Sequence, residues 1–410
     1  MEVVMPEAEE TTFAAELRRL RGEVSLRALG RRASCSKSII SDLEHERRVP
    51  TLPIARGLDK ALGAGGKLVS LAEAQRQRLS EETADAAGDS AVDGLLREWD
   101  EVWRRDFLKG AGAAGAALAT GPGAGTPAAA GGRDLMDAHL ALRAAHGRLD
   151  NLRGASAVYA HAVGHHQQIL AWHATAAGPA ERQRIAALAA DTGGFVGFLT
   201  YDLGMAETAA THYRDAAAHA RRAGDLSSCT NLIGQMSRIL TDQGHYHRAL
   251  TLADGALHLA GTAAHPAVRS WLHAVRAHHY ACLADTRLAQ RDLTLAWTLL
   301  ERADDGEKPT YIGYLDAAEL NKWTGHAMVR LGQRTPSLLR AGRTALDEAR
   351  AAWPATSVRG SAEVLTASAR IHAACGDRDT AANLASRAVA IATETGSARN
   401  LRAALTAANG

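Results

Sequence analysis

Apolar residues recur every three to four positions through most of this chain, with polar residues between them, which is the spacing of amphipathic helices. Phe13, Leu17 and Leu20 share one face of a first helix, while Arg18, Arg19 and Arg21 lie on the other. Ser25 is placed to N-cap a second helix that carries Leu26, Leu29 and Ala33. Ala33-Ser34-Cys35 reads as a turn, and Ser36 as the cap of a third helix whose Ile40 and Leu43 point back into a core. Arg47-Arg48-Val49-Pro50 ends that helix, and Thr51 caps a fourth that runs through Ile54, Leu58 and Leu62 to Gly63.

Beyond this head the pattern changes twice. Residues 80–90 are acidic, small and polar, and residues 110–132 are almost wholly Ala, Gly, Pro and Thr, the composition of linkers. Between them Leu95, Leu96, Trp99, Val102, Trp103, Phe107 and Leu108 space an amphipathic helix over about residues 93–109. From Arg133 onward the sequence predicts helix after helix. Gly204, Gly244, Ala289, Gly332 and Gly376 mark equivalent turns, at steps of 40 to 45 residues, each followed by an Ala-rich amphipathic stretch. The expected pairs are 184–203 with 206–222, 226–242 with 246–260, 268–289 with 291–302, 315–331 with 337–352, and 357–374 with 379–393. Residues 134–173 supply a preceding pair and 397–408 a capping helix. One such pair cannot bury its own apolar face, so stacking makes the core. The expected domains are 12–75, a linker over 76–132, and a repeat domain over 133–408.

Composition supports an all-α chain: 410 residues, 46% apolar, and only 4% aromatic, too little for a β-sandwich. The net charge of +2 conceals an asymmetry. Between Glu16 and Lys67 twelve Lys and Arg oppose six Asp and Glu, whereas between Glu81 and Glu101 eight acids oppose Arg97 alone. A basic head followed by an acidic segment suggests a polyanionic partner for the head. Cys35, Cys229, Cys282 and Cys375 lie far apart and form no CxxC, which argues against a zinc ribbon or a disulfide framework and fits a reducing cytoplasm. No apolar run reaches the ~20 residues of a membrane span.

Two short helices joined by a three- to four-residue turn form a motif that reads DNA. Residues 12–71 resemble the Cro/lambda-repressor (XRE-type) helix-turn-helix family, through Ser25, Leu26, Leu29, Ala33, Ser36, Ile40, Ser41, Leu43, Glu44 and Pro50 in register. Gly30 replaces the usual Ala of that pattern, Ser34 the turn Gly, and Glu46 the Gly after the recognition helix. A Glu in left-handed backbone costs on the order of 1 kcal/mol, and the alternative is that Glu46 extends the helix. The resemblance implies base contacts from Lys37, Ser38 and Asp42, and phosphate contacts from Arg27, Ser36, Arg47 and Arg48. For Asp42 the competing reading is a salt bridge to a neighbouring Arg. A single module of this kind covers about one half-site, so a homodimer on a palindromic double-stranded operator is expected.

The later repeats are similar to tetratricopeptide helix pairs, longer than the usual ~34 residues. The head, the Arg104-Arg105-Asp106-Phe107-Leu108-Lys109 segment and the repeat tail, including Leu149-Asp150-Asn151-Leu152-Arg153-Gly154, together resemble a group of actinobacterial (streptomycete-type) regulators. That resemblance implies a transcriptional regulator whose repeats dimerise and sense a peptide, small molecule or protein. Asn231, Gln235 and Arg238 on one repeat helix, and Asn321 and Arg330 on another, are the candidate effector contacts. A repeat-based interaction scaffold with a secondary DNA-binding head is the alternative.

Several apparent motifs carry less. Residues 104–109 match a twin-arginine export signal, yet follow a complete DNA-binding module, so export is not expected and the location is cytoplasmic, on the nucleoid. His161 and His165 lack the Glu of HExxH and a third ligand, and residues 63–67 lack the spacing of a phosphate loop. No catalytic set announces itself, and neither an enzymatic activity, a metal nor a cofactor is expected.

Overall fold

A computed structural model describes residues 12–33, 35–46, 50–75, Gly94, Arg97, 132–303 and 308–408. Among these residues all regular structure is helical. The chain divides into two compact units, Met1–Ala91 and Val92–Gly410. The acidic stretch, the Ala/Gly-rich linker, most of the 93–109 helix and the twin-arginine-like segment lie outside the described residues.

In the first unit, α1 (Phe13–Arg21), α2 (Leu26–Arg32), α3 (Lys37–Glu44), α4 (Leu52–Leu62) and α5 (residues 67–75) surround one core. Phe13, Leu17, Leu29, Ile40, Leu43, Ala55, Leu58, Leu68 and Ala72 are all buried there. The expected caps form at two helices: Ser25 Oγ accepts from Ala28 N at 3.3 Å and Ser36 Oγ from Ile39 N at 3.2 Å. Thr51 makes no side-chain cap bond; a Pro in the first turn of α4 removes one donor that would need it. Gly63 closes α4 with φ 63°, and Asp59 then accepts from Gly66 N at 2.8 Å and Leu68 N at 3.0 Å, tying the end of α4 to the start of α5.

The second unit alternates inner and outer helices. The inner set is α6 (Gly132–Arg153), α8 (Pro179–Asp202), α10 (Leu226–Asp242), α12 (Pro266–Cys282), α14 (Ala317–Gly332), α16 (Val358–Ala374) and α18 (Ala398–Ala408). The outer set is α7 (Ala155–Thr175), α9 (Ala206–Arg222), α11 (Tyr246–Ala260), α13 (Thr286–Leu300), α15 (Ser337–Ala352) and α17 (Arg378–Glu394). Each inner helix from α6 to α16 packs on the next inner helix and on its own outer partner. Two expected turns move: α12 ends at Cys282, with the turn at Leu283-Ala284-Asp285 and not at Ala289, and Gly332 is the buried last residue of α14, with the turn following it from Gln333. Ala284 adopts φ 62° where the equivalent turns use Gly204 (φ 84°) and Gly244 (φ 82°). An Ala in left-handed backbone gives no signal in the sequence, and Ala289 instead lies fully buried inside α13.

The array closes on itself. α16 packs on α6 and α18 packs on α8, bringing the last helices against the first. Arg359 joins the two ends: its Nε lies 3.2 Å from Asp150 Oδ2 and its Nη1 3.8 Å from Asp202 Oδ1. Ser397 donates to Asp202 at 2.8 Å, and Arg399 pairs with both Asp202 and Glu363. Lys322 continues the chain of charges, 2.9 Å from Glu363 and 2.7 Å from Glu319. Burial opposes the charge on Glu363, yet Arg399 and Lys322 hold its carboxyl well below the usual carboxylate range. Asp150 shows the opposite balance, its carboxyl raised by burial against the pull of Arg359. The 397–408 segment, expected as a cap, therefore serves as a closure.

Candidate nucleic-acid interface

α3 is the second helix of the helix-turn-helix, and two interactions fix how it is presented. Ile40 and Leu43 anchor its inner face, fully or almost fully buried. Glu44, at its last turn and only 4% exposed, receives Arg21 of α1 through Nε at 2.5 Å and Nη2 at 3.2 Å. Arg21 also donates to the Val24 carbonyl at 3.0 Å, so one guanidinium fastens α3 to α1 and to the loop before α2. Pairing with Glu44 raises Arg21 above its ordinary value. Sequence reading found Glu44 only as a matching motif position. Its partner lies 23 residues earlier, in a run of arginines that periodicity assigns to solvent.

The turn between α2 and α3 explains one departure from the family pattern. A Cβ at Gly30 would sit 2.6 Å from the Cys35 carbonyl oxygen, and Cys35 N donates to Gly30 O at 3.0 Å. The turn thus lies directly against α2, closer than an Ala would allow. Glu46 takes the left-handed alternative, with φ 55°, one residue beyond the C-cap His45. Its carboxylate accepts from Thr12 Oγ1 at 3.3 Å, a contact that helps hold the unfavourable backbone. Glu16 is likewise engaged: hydrogen bonds from Arg19 and Lys67 bring its carboxyl down to about 2.

Lys37 and Ser38 are exposed on the first turn of α3, and Asp42 is half-buried one turn on. Ser38 shares a 2.8 Å hydrogen bond with Ser36, the cap residue. Neither Lys37 nor Asp42 forms an ion pair among the described residues, and the Lys37 charge is exposed. Arg27 and Arg31 are exposed on α2, and with Gly30, Cys35, Ser36 and Lys37 they line a shallow open groove. Backbone N–H groups at the start of α3, a serine hydroxyl and three cations in one groove suit a phosphate oxygen. Arg47 and Arg48 lie outside the described residues, as does Ser34.

The expected effector contacts separate into two groups. Asn231, Gln235 and Arg238 share the inner face of α10: Gln235 Oε1 accepts from Arg238 Nη1 at 2.8 Å, and the guanidinium lies 5.2 Å from the Trp323 ring centre. Asn231 is 5% exposed, and its Oδ1 finds no partner. Arg330 is exposed and electrostatically coupled to His278 on α12. Asn321 stands apart, donating to Glu348 of the outer helix α15 at 3.1 Å. Nine residues along a helix are half a rotation apart, so Asn321 and Arg330 cannot share a face.

Among the described residues no set of three or more His, Cys, Asp or Glu is grouped to hold a metal ion, and no helix is long and apolar enough to cross a membrane. Residues 12–72 match a family model described as a helix-turn-helix domain. No curated protein matches the chain. The first unit is thus a helix-turn-helix domain of the DNA-binding kind, followed by an array of helical repeats.

Proposed function

We propose that this chain is a sequence-specific transcriptional regulator of the XRE type, with a tetratricopeptide-like tail of the actinobacterial kind. The domains are 12–75 for DNA, 76–132 as linker and 133–408 for regulation. Lys37, Ser38 and Asp42 read base edges; Lys suits guanine O6 and N7, and Asp accepts from cytosine N4. Arg27, Ser36, Arg47 and Arg48 hold phosphates. The observation that carries this reading is the unpaired, outward Lys37 at the capped start of α3, beside the Arg27–Arg31 groove. Its place of action is the nucleoid.

The test is selection of bound sites from random duplex, followed by titration at several salt concentrations. Lys37→Ala is expected to weaken binding to the selected site about tenfold while leaving non-specific binding nearly unchanged. Arg27→Ala is expected to weaken both and to lower the salt slope by about one. Equal affinity for selected and random duplex in the unaltered chain would remove the proposal.

A palindromic operator calls for two heads, and α6 supplies a surface for a second copy. Leu135, Ala138, Leu142, Ala145, Leu149 and Leu152 alternate at three and four residues along it, the seam of a two-helix coiled coil. Leu142, Leu149 and Leu152 are 42%, 38% and 47% exposed, unusual for apolar residues in such a register. A seam of this kind is self-complementary, so the occupant it fits is the same helix of another copy. Replacing Leu142 and Leu149 together by Glu is expected to weaken dimerisation about 100-fold. Sedimentation equilibrium reads the change; a dimer of unaltered strength would place the contact elsewhere. In this reading the repeat array couples an effector to the dimer, and thereby to the operator.

A further inference from the structure

α6 is the first helix of the repeat array, and its sides carry different chemistry. Leu142, Leu149 and Leu152 stand exposed on one. On the side that rests on α7, His139 and His146, two turns apart, both meet His165 of α7. His139 Nδ1 and His165 Nε2 share a hydrogen bond at 2.9 Å, their ring centres 5.1 Å apart and their planes 13° from parallel. The His146 ring meets the His165 ring edge-on at 5.4 Å. His146 is buried, and its Nδ1 has no hydrogen-bond partner among the described residues. Trp172 of α7 stacks on His139 at 5.5 Å.

This arrangement suits neutral rings only. An imidazole-to-imidazole hydrogen bond needs one N–H and one lone pair, so charging both rings sets an N–H against an N–H. Trp172 offers a charged His139 an aromatic face, which does nothing for His165. The charged and titratable neighbours give no relief. Arg143 of α6 and His161 of α7 add positive charge. His166 of α7 turns to Thr192 of α8 at 2.9 Å. Asp191 of α8 is taken by Arg143 at 3.3 Å, and Asp150, one turn beyond His146, by Arg359 of α16. Asp134 and Asp137 lie exposed on α6.

We propose that His139, His146 and His165 form a proton-sensitive latch that holds α6 on α7 at neutral pH and releases it in mild acid, thereby weakening the dimer that α6 makes. The proposal rests on the dimer reading above and names how that contact is regulated. α6 is the helix free to respond, since it stands at one end of the array and rests on α7, α8 and α16 alone among the described helices.

The direction follows from where the protons go. Burial lowers all three rings; for His165, burial first and the charges of His139, His146 and Arg143 second bring it down to about 4. Released from the contact, a histidine titrates near its model value of 6.5. Below that value the open state takes up protons that the closed state refuses, so closure is favoured at neutral pH and lost as pH falls from about 6.5 toward about 4. Between about pH 7.5 and about pH 5.5, His165 alone shifts the balance toward opening by about tenfold, and His139 and His146 act in the same direction. Packing alone is the simpler role for three rings at a helix contact, and it predicts no release of α6 separate from the rest of the array.

The test is hydrogen exchange of the full chain at the two pH values, each amide corrected for its intrinsic rate, with sedimentation equilibrium on the same samples. Amides of α6 are expected to lose protection at least tenfold at the lower pH, ahead of those of α10. His165→Gln keeps a polar group that cannot charge, and should remove about tenfold of that loss; His139→Asn should act likewise, while His258→Gln, exposed on α11, should change nothing. Circular dichroism at the higher pH verifies that each variant is folded. Protection of α6 that is independent of pH, equal loss in α6 and α10, or full loss in both latch variants overturns the latch. The dimer is expected to weaken about tenfold or more at the lower pH, and less in His165→Gln. Release of α6 with an unchanged dimer overturns the link between them. A chain that is monomeric at both pH values overturns the dimer reading itself, while the exchange data still decide the latch.

Discussion

Arg359→Met is expected to destabilise the repeat unit by about 3 kcal/mol, the lower end of the cost of breaking a buried ion pair from one side. Arg359, from the last helices of the array, is 9% exposed and pairs with Asp150 and Asp202, both from its first helices. Its guanidinium also lies 4.6 Å from the Phe198 ring centre. Methionine keeps much of the stem's packing, so the loss isolates the charge. Asp202 retains Ser397 and Arg399, and Asp150, already raised by burial, can take up a proton; both hold the cost near the lower limit. Urea unfolding reads the change as a lower midpoint. The pairing itself is tested by adding Asp150→Asn. The double variant should be less destabilised than the sum of the two single changes, by about 1 kcal/mol or more. Strict additivity, or a shift below about 0.5 kcal/mol, would mean that the junction is held by packing alone.

That junction also marks where sequence reading stopped. Helix-turn-helix boundaries were legible because local chemistry sets them: Ser25 and Ser36 cap, Leu29 and Ile40 bury, Gly63 ends α4. The same holds for α10 and α11, whose ends coincide with the expected 226–242 and 246–260. Where left-handed backbone falls on Ala284 instead of Gly, local chemistry is silent, and the repeat spacing points five residues too late, to Ala289. Ring closure was invisible for a different reason. Asp150 and Arg359 are separated by 209 positions, and Asp202 and Ser397 by 195, so no periodicity relates them. In sequence, Asp150 reads as one polar residue in an amphipathic helix. Of the inner polar residues, helical spacing brings out Asn231, Gln235 and Arg238 together, but that Arg238 stands 5.2 Å from the Trp323 ring of α14 follows only from the stacking of the array. Asn321 shares its chemistry with the other candidate effector contacts, although its position turns it toward Glu348.

Gly154→Ala is expected to open the closure, with a loss of about 2–5 kcal/mol. Gly154 joins α6 to α7 with φ 83°, a backbone that costs an L-residue roughly 1–2 kcal/mol. A Cβ there would stand 2.0 Å from the Thr395 carbonyl oxygen and 2.7 Å from its Cβ. Both belong to the turn between α17 and α18, so no flexible side chain can swing aside, and overpacking adds roughly 1–3 kcal/mol. The turn has little freedom to retreat: Thr395 is 1% exposed, its carbonyl accepts from Ser156 at 3.4 Å, and Ser397 two residues on is bonded to Asp202. The strain should therefore be relieved by separating the turn from α6 and α7. Hydrogen exchange gives the decisive pattern. Amides of α17, α18 and the first turn of α7 should exchange at least tenfold faster, while those of α10 and α11 keep their protection. Uniform loss of protection across α8 to α17 would instead show that the array unfolds as one unit, with no separable closure.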